Sequence, residues 1–451
     1  MYSRRISALL ALPIMAVVIA AIGGIPGADI LKDVIGGGAT KLHNAYTTSM
    51  IGAILAELIN KLGIAKAMVR WVAEFSGDSP YALGLLMTLV TALLFSSLGG
   101  LGAVIMVGTV VLPVMLSLGI SAVTAGGLFL FGISLGGMFN LANWTLYMDV
   151  LGIGQSSIVA YVMPFAAVIV TVIIAFLTIE LKKSANIKYA LTSLLVLAAL
   201  VAAALQTNLL STPATTNKAV AAPLPASLGG AAIALVLLIL LALWRHYRKA
   251  LTLPALAFLT PLIPLALVLF CKWDIISSFI AGITFGVLSA WRRDSVNLLT
   301  RSIIEGAQSV IPAVILMMGI GMLLNAVMHK NISQAIAPLL LTALPTTAAG
   351  YLLVFTVIAP LALYRGPLSL WGMGSGLVAL IKEPLGGPAT MAMLLSVGQL
   401  QGICDPTNTH NVWIATYLGS DTQVLLRKTM PYAWLAVIGG LLLAICLRYV
   451  K

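Results

Sequence analysis

Arg365 is the side chain with the most chemistry to explain. It is the only Lys or Arg between Lys330 and Lys382, in a stretch that otherwise carries no charge. An arginine held at mid-bilayer costs at least about 2.5–3.5 kcal/mol, so a compensating partner is expected. Its planar fork matches a carboxylate through two parallel hydrogen bonds. Gly366, Pro367, Ser369 and Trp371 around it favour a ligand site. Two other readings stand beside that one: snorkelling to the outer interface, and an internal pair with Asp405.

Asp405 and His410 lie in a second polar run, Asp405-Pro406-Thr407-Asn408-Thr409-His410-Asn411. Desolvation drives a buried aspartate toward its neutral form, and histidine titrates near physiological pH. Either group suits proton coupling. The plainer alternative is that Asp405 caps a helix and His410 makes a satisfied polar contact. A matching run, Asn140-Leu141-Ala142-Asn143-Trp144-Thr145, occurs earlier in the chain. Asn, Thr and Asp side chains support broken backbone by local hydrogen bonds, and their oxygens can coordinate Na⁺. Asn140, Asn143 and Asn408 are the candidate Na⁺ ligands, and no firm metal site is expected. The alternative is a pair of ordinary interfacial loops.

Two glycine-bearing interruptions complete the set. Ser96-Ser97-Leu98-Gly99-Gly100 and Leu363-Tyr364-Arg365-Gly366-Pro367-Leu368-Ser369 each interrupt a long apolar stretch. Glycine permits positive φ and close backbone approach, and Pro367 cannot continue a helix. Both read as tips of re-entrant hairpins, where free N–H groups form an anion site. The expected substrate contacts are Ser96, Ser97, Gly99, Gly100, Asn140, Asn143, Arg365, Gly366, Ser369, Asn408, Thr409 and Asn411. The expected ion-coupling residues are Asp405, His410, Asn140 and Asn408.

Such residues need a membrane around them, and the composition supplies one. Of 451 residues, 61% are hydrophobic and 8% charged, against about 45–50% and 25% in soluble domains. This excludes a cytosolic enzyme, a nucleic-acid reader and a secreted disulfide scaffold. The net charge of +12 is carried by short clusters between apolar runs: Arg4-Arg5, Lys182-Lys183 with Lys188, Arg245 to Lys249, Arg292-Arg293 and Arg427-Lys428. That is the pattern of cytoplasmic loop ends. Cys271, Cys404 and Cys446 have no metal-type spacing and are given no redox role. The run after Arg4-Arg5 lacks a clear cleavage site at Gly23-Gly24-Ile25-Pro26-Gly27 and reads as a retained first helix. No P-loop, zinc spacing or nucleophile elbow is present, which argues against an ATP-driven pump and a membrane hydrolase.

A helix needs about 20 apolar residues to cross. Clear spans run from Ile6 to Gly23, Ser156 to Ile179, Tyr189 to Leu205, Leu228 to Leu243, Leu251 to Phe270, Ile275 to Ala290, Ile311 to Val327 and Ala433 to Leu447. Leu42–Gly152 and Thr347–Gly419 are less regular, and Gln206–Ser227 reads as a linker. One nearly constant displacement pairs Gly38-Ala39 with Gly306-Ala307, Gly100 with Gly366, Asn140–Asn143 with Asn408–Asn411, and Leu151-Gly152 with Leu418-Gly419. It also pairs Glu57 and Lys61, read as a helix-end ion pair, with Asn325 and His329. Asp149 reads as a loop-facing charge. The charge clusters place the N-terminus inside and give the halves opposite orientation, the arrangement of a secondary transporter. This leaves Arg448 and Lys451 outside, against the charge rule. The expected fold is an all-α polytopic membrane protein of two inverted-topology repeats, with about eleven transmembrane helices plus two re-entrant hairpins. The N-terminal repeat is residues 1–185, with a hairpin at about 79–118 and a broken helix at about 120–152. Linker helices fill 186–273. The C-terminal repeat is 274–451, with a hairpin at about 347–385 and a broken helix at about 388–419.

These motifs resemble the ion transporter superfamily: the gluconate permease and citrate–metal symporter families, and more distantly the divalent-anion/sodium symporters. The likeness covers nearly the whole chain. The sodium–dicarboxylate branch shows Ser-Asn-Thr at these places, and here only Thr407-Asn408-Thr409 comes close. The resemblance implies a homodimer whose scaffold holds a mobile, hairpin-bearing domain with elevator-like movement. The expectation is a symporter of the inner membrane that is not an enzyme and uses no cofactor. It would move a small organic anion, a carboxylate or sugar acid, driven by H⁺ or Na⁺, with lipid and no nucleic acid as its surroundings. A cation/proton antiporter centred on Asp405 is the first rival, followed by an ion channel and a membrane-embedded enzyme.

Overall fold

The computed structural model describes residues 8–181, 186–206, 224–248, 252–345, 347–371 and 374–450. Arg4-Arg5, Lys182-Lys183, Lys249, Lys451 and most of the Gln206–Ser227 segment lie outside them. Every regular element among the described residues is helical, as bilayer burial of backbone polar groups requires of an open chain. By length and composition, five of these helices could each cross a membrane, or up to seven spans if two bent pairs count as one each. The chain is an all-α polytopic membrane protein.

Element order repeats. Helices beginning at Ala8, Gly27, Ile64, Pro80, Ala122, Leu141 and Gln155 recur as helices beginning at Ile275, Ser295, Lys330, Ala348, Gly387, Thr409 and Thr422. Their packing reveals how the halves are related. Gly38 lies against Met322, where an added Cβ would come within 2.5 Å of the Met322 Cα. Gly306 lies against Ile54, where an added Cβ would come within 2.7 Å of the Ile54 Cα. Gly306 is the counterpart of Gly38, and Met322 is the counterpart of Ile54. This exchange of equivalent contacts is that of a two-fold axis. The two helices run antiparallel, with Lys61 bound to Glu305 at 2.6 Å near one end and Lys41 Nζ donating to Asn325 Oδ1 at 2.7 Å near the other.

The same reciprocity recurs around the breaks. The Thr409–Tyr417 segment packs on Gly100–Ser117 and Ala122–Met138, while Leu141–Leu151 packs on Gly374–Leu385 and Gly387–Cys404. Ala122–Met138 and Gly387–Cys404 touch directly, with Ser134 Oγ donating to Gln399 Oε1 at 2.7 Å.

The first hairpin doubles back on itself. Pro80–Phe95 runs parallel to Ala122–Met138: Gly84 faces Leu128, Gly132 faces Thr88 and Thr91, and Gly136 faces the Ala92 carbonyl. Gly100–Ser117 then returns the chain so that Ile120 meets Gly84. The broken helix continues past the level of the tip for the 11 residues Leu141–Leu151, bent by 55°. In the second half Tyr351 Oη donates to the Ala389 carbonyl at 2.8 Å. This sets the start of the hairpin beside the start of Gly387–Cys404.

Three expectations about elements need correction. Leu251–Phe270 is not one regular helix. It comprises a 3₁₀ turn, Ala255–Leu259, and a short helix, Ile263–Phe270, because Pro254, Pro261 and Pro264 remove donors and fix φ. It nevertheless runs alongside Ile275–Ser289: Arg245 binds both Thr252 and Trp291 carbonyls, Thr260 faces Gly286, and Pro264 faces Gly282. The helix expected from Ile311 begins at Ser295 and has 34 residues, since Arg301 and Glu305 sit on its end rather than in lipid. The helix after the linker starts at Leu224, with Pro225 tolerated in its first turn.

The close approach at Gly306 generates a test. Gly306→Val should destabilise the protein by about 1–3 kcal/mol or more, because a side chain there meets backbone rather than a movable group. Gly27→Ala, which meets nothing within 4 Å, should leave the thermal unfolding midpoint unchanged.

Candidate functional site

At the first break, Met138 ends one helix and Asn140 begins the next. A broken helix leaves terminal N–H and C=O groups without partners. Asn140 serves the second helix and the hairpin: its Oδ1 accepts from Ala142 N at 3.0 Å, and its Nδ2 donates to the Leu98 carbonyl at 3.1 Å and the Phe95 carbonyl at 3.4 Å. Asn143 Nδ2 donates to the Gly137 carbonyl and Trp144 Nε1 to the Met138 carbonyl, both at 2.8 Å. The carbonyls freed by the break are thus taken up by side chains placed one turn beyond it.

The hairpin tip it supports is open on one side. Gly99 is extended, Gly100 has φ +80°, and a Cβ at either would meet nothing within 4 Å. Both glycines are exposed, so the first N–H groups of Gly100–Ser117 are accessible to a ligand. Ser96 and Ser97 point elsewhere. The Ser96 hydroxyl donates to Leu93 O at 2.7 Å, and the Ser97 hydroxyl donates to Pro261 O at 2.6 Å. Their protons are committed to the backbone of the hairpin and of the linker.

The second tip is tighter. Leu363 is extended, and Tyr364 and Arg365 follow with φ +58° and +54°. Left-handed conformations of this kind cost non-glycine residues about 1–3 kcal/mol each and concentrate at functional sites. Gly366 is required here, because a Cβ would strike the Leu361 carbonyl. The half-buried Arg365 donates from one terminal nitrogen to the Trp371 carbonyl at 3.3 Å. It forms no ion pair among the described residues, so the expected alternative of an Arg365–Asp405 pair is not what holds it. Its guanidinium is near enough to the half-buried His410 ring to act on it electrostatically, which brings the second tip and the second break together. Ser369, fully buried, donates to Gln401 Oε1 at 2.7 Å.

At the second break Asp405 is 0% exposed. Its Oδ1 accepts from Thr407 N at 2.9 Å and from Thr407 Oγ1 at 2.7 Å. Its Oδ2 is buried without a hydrogen-bond partner, and so is Asn411 Oδ1. Asn411 Nδ2 donates to the Ile403 carbonyl at 3.0 Å, the role Asn143 has in the first half. Asn408 caps the following helix, its Oδ1 accepting from His410 N at 3.4 Å, and Thr409 is exposed. Each of these buried oxygen acceptors without a donor is a place where a proton or a small cation lowers the energy. No group of three or more His, Cys, Asp or Glu with metal-holding geometry occurs among the described residues.

The structure adds residues that the sequence reading passed over. Gln399, Gln401 and Ser134 link the two broken helices to each other and to the second tip, and Thr407 holds Asp405. Two glutamines one residue apart in an apolar helix were the available signal. Asp149 is not a loop charge: it accepts from Ala45 N at 3.2 Å and Asn44 Nδ2 at 3.3 Å, capping the helix His43–Lys61. Glu57 and Lys61 do pair, at 3.5 Å.

Asn140 gives the sharpest test of this geometry. Asn140→Asp keeps the acceptor for Ala142 N and loses both donors, leaving the Phe95 and Leu98 carbonyls unpaired. It should cost about 1–3 kcal/mol in unfolding free energy, and Asn140→Ala at least as much.

No protein-family model matches the sequence, and no curated protein matches it. Among solved structures, the chain is similar to the Alcanivorax borkumensis YdaH transporter at 15% identity, covering 98% of this chain and 97% of that one with a TM-score of 0.53. Neisseria gonorrhoeae MtrF, described with a class of antimetabolite efflux pumps, aligns at 15% identity over 96% of this chain and 93% of that one with a TM-score of 0.46. The first likeness extends over the whole length of both chains, and the fold described above is therefore one that a solved transporter also adopts.

Proposed function

We propose that this chain is a secondary active transporter that carries a small organic anion, a carboxylate or sugar acid, across the inner membrane in symport with H⁺ or Na⁺. The observation that carries the reading is Arg365. A guanidinium held at a strained hairpin tip, with one carbonyl contact and no carboxylate among the described residues, is a cation whose natural complement is an anion brought from outside the protein. The open N–H groups after Gly99 would add a second, uncharged anion contact. The likeness of fold to the YdaH transporter supports a carrier over an enzyme.

In this reading Asp405 carries the coupling. Its unpartnered Oδ2 and the Asn411 carbonyl oxygen would take a proton or Na⁺, and Thr407 fixes the other carboxylate oxygen. Asn408, Thr409 and His410 would line the path between ion and substrate. The two-fold exchange of contacts supports alternating access by inverted halves. An elevator movement, a homodimer, a cytoplasmic N-terminus and membership of the ion transporter superfamily complete the proposal. The same orphan acceptors favour one rival, a cation/proton antiporter in which Asp405 binds both ions in turn and Arg365 is structural.

The test uses purified protein in proteoliposomes, recording uptake of labelled gluconate, lactate, succinate and citrate under imposed pH and Na⁺ gradients. Wild type should show saturable uptake of one anion driven by one gradient. Arg365→Ala should lower kcat/KM by about 30-fold or more, the loss expected when one partner of a desolvated charge pair is removed. Asp405→Asn should abolish the dependence on the gradient. If no organic anion moves, while Na⁺ and H⁺ exchange in wild type and not in Asp405→Asn, the antiporter reading replaces this one.

A further inference from the structure

A pair of cations lies far along the chain from the breaks, where the linker meets the C-terminal half. Arg245 is 4% exposed. Its Nη2 donates to the Thr252 carbonyl at 2.5 Å and its Nε to the Trp291 carbonyl at 3.3 Å. The next residue, Arg292, donates through Nη2 to the Leu62 carbonyl at 3.0 Å, and its Nε is buried with no partner. The two side chains meet at Trp291, whose carbonyl Arg245 binds and which Arg292 follows in the chain, so the two positive charges act on each other. Carbonyl groups satisfy some of their hydrogens but supply no formal charge. Neither arginine has a carboxylate: Glu57 and Glu305 are engaged by Lys61, and the exposed Asp294 forms no ion pair among the described residues. Two like charges, one buried and one half-buried, with no counter-charge among the described residues are unfavourable together, and a bound anion removes that cost.

The depth of the pair points to the chemistry of that anion. Trp244 and Tyr247 on the same helix are 54% and 88% exposed, and Arg248 stands 5.5 Å over the Trp244 ring. Exposed Leu237, Leu240 and Leu243 precede them. Apolar surface ending in exposed aromatics marks the level of lipid headgroups, and basic pockets between helices at this level suit phosphate. Guanidinium forks match a tetrahedral oxyanion with paired hydrogen bonds.

We propose that Arg245 and Arg292 form a binding site for a phosphate group carrying net negative charge, at the junction of the linker and the C-terminal half. The bound group joins three elements, Leu224–Tyr247, the segment after Thr252 and the loop at Trp291, and stabilises their arrangement. The site is independent of the transport reading.

The test measures thermal unfolding of the full-length protein in neutral detergent, titrated separately with dioleoylphosphatidylglycerol, dioleoylphosphatidylcholine and inorganic phosphate. Phosphatidylglycerol should raise the unfolding midpoint in a saturable way, and phosphatidylcholine should not. Arg292→Gln leaves the Arg245 carbonyl contacts in place and should raise the half-saturating concentration by about tenfold or more. Arg292→Lys, which keeps the charge and loses the fork, should fall between. Arg427→Gln, on an exposed residue, should respond as wild type. Saturable protection by inorganic phosphate that is weakened by Arg292→Gln, without an effect of the lipid, would support the site and assign it to a soluble anion. Equal protection by both lipids, no protection by any probe, or an unchanged response in Arg292→Gln would overturn it.

Discussion

A membrane interior offers no water to a severed helix, and that one constraint shapes the centre of this molecule. Each interruption of Ala122–Leu151 and Gly387–Tyr417 frees carbonyls that only the protein can satisfy. Side-chain donors do this work: Asn143 for Gly137, Trp144 for Met138 and Asn411 for Ile403, while Asn140 turns to the hairpin carbonyls of Phe95 and Leu98. Because Asn140 reaches across to the hairpin, the break and the tip cannot be placed independently. Asn140 thereby fixes the first tip against its break, and Ser369, through Gln401, ties the second hairpin to its own broken helix. A local hydrogen-bond debt therefore organises long-range geometry.

Close backbone packing carries the same order outward. Gly38 and Gly306 admit the partner helix because neither has a side chain, and the resulting crossing relates the two halves by rotation. Ser134 and Gln399 meet between the two broken helices, so polar and apolar contacts share one axis. The second break keeps an unfinished account: Asp405 Oδ2 and Asn411 Oδ1 are desolvated and undonated. Buried acceptors left this way are uncommon, and they fall where the chain has most reason to be polar.

Much of this was legible in the residues. The displacement that pairs Gly38 with Gly306 and Asn140 with Asn408 is the displacement that relates the helices, because glycine at a crossing and asparagine at a break are both dictated by backbone geometry. The tips were legible for the same reason. What the sequence concealed depended on contacts between distant segments. Nothing near Ser97 announces that its proton goes to Pro261, and nothing near Asp149 announces that it caps a helix a hundred residues earlier. The irregular course after Thr252 was hidden by apolar composition, which meets the criterion for a span whether or not prolines let it wind as one. Gln399 and Gln401 were visible and were passed over in favour of charged neighbours.

The two tips are anchored differently, and this has a thermodynamic consequence. Ser97 hangs from the linker at Pro261, outside the repeats, whereas Ser369 binds Gln401 within its own half. Two halves that exchange roles perfectly would give two facings of equal free energy. Here the exchange does not regenerate the same bonds, since the linker has no second copy to offer Ser369. In a carrier of the proposed kind this would lift the degeneracy, and the empty protein would rest on the side favoured by the segment that holds Ser97.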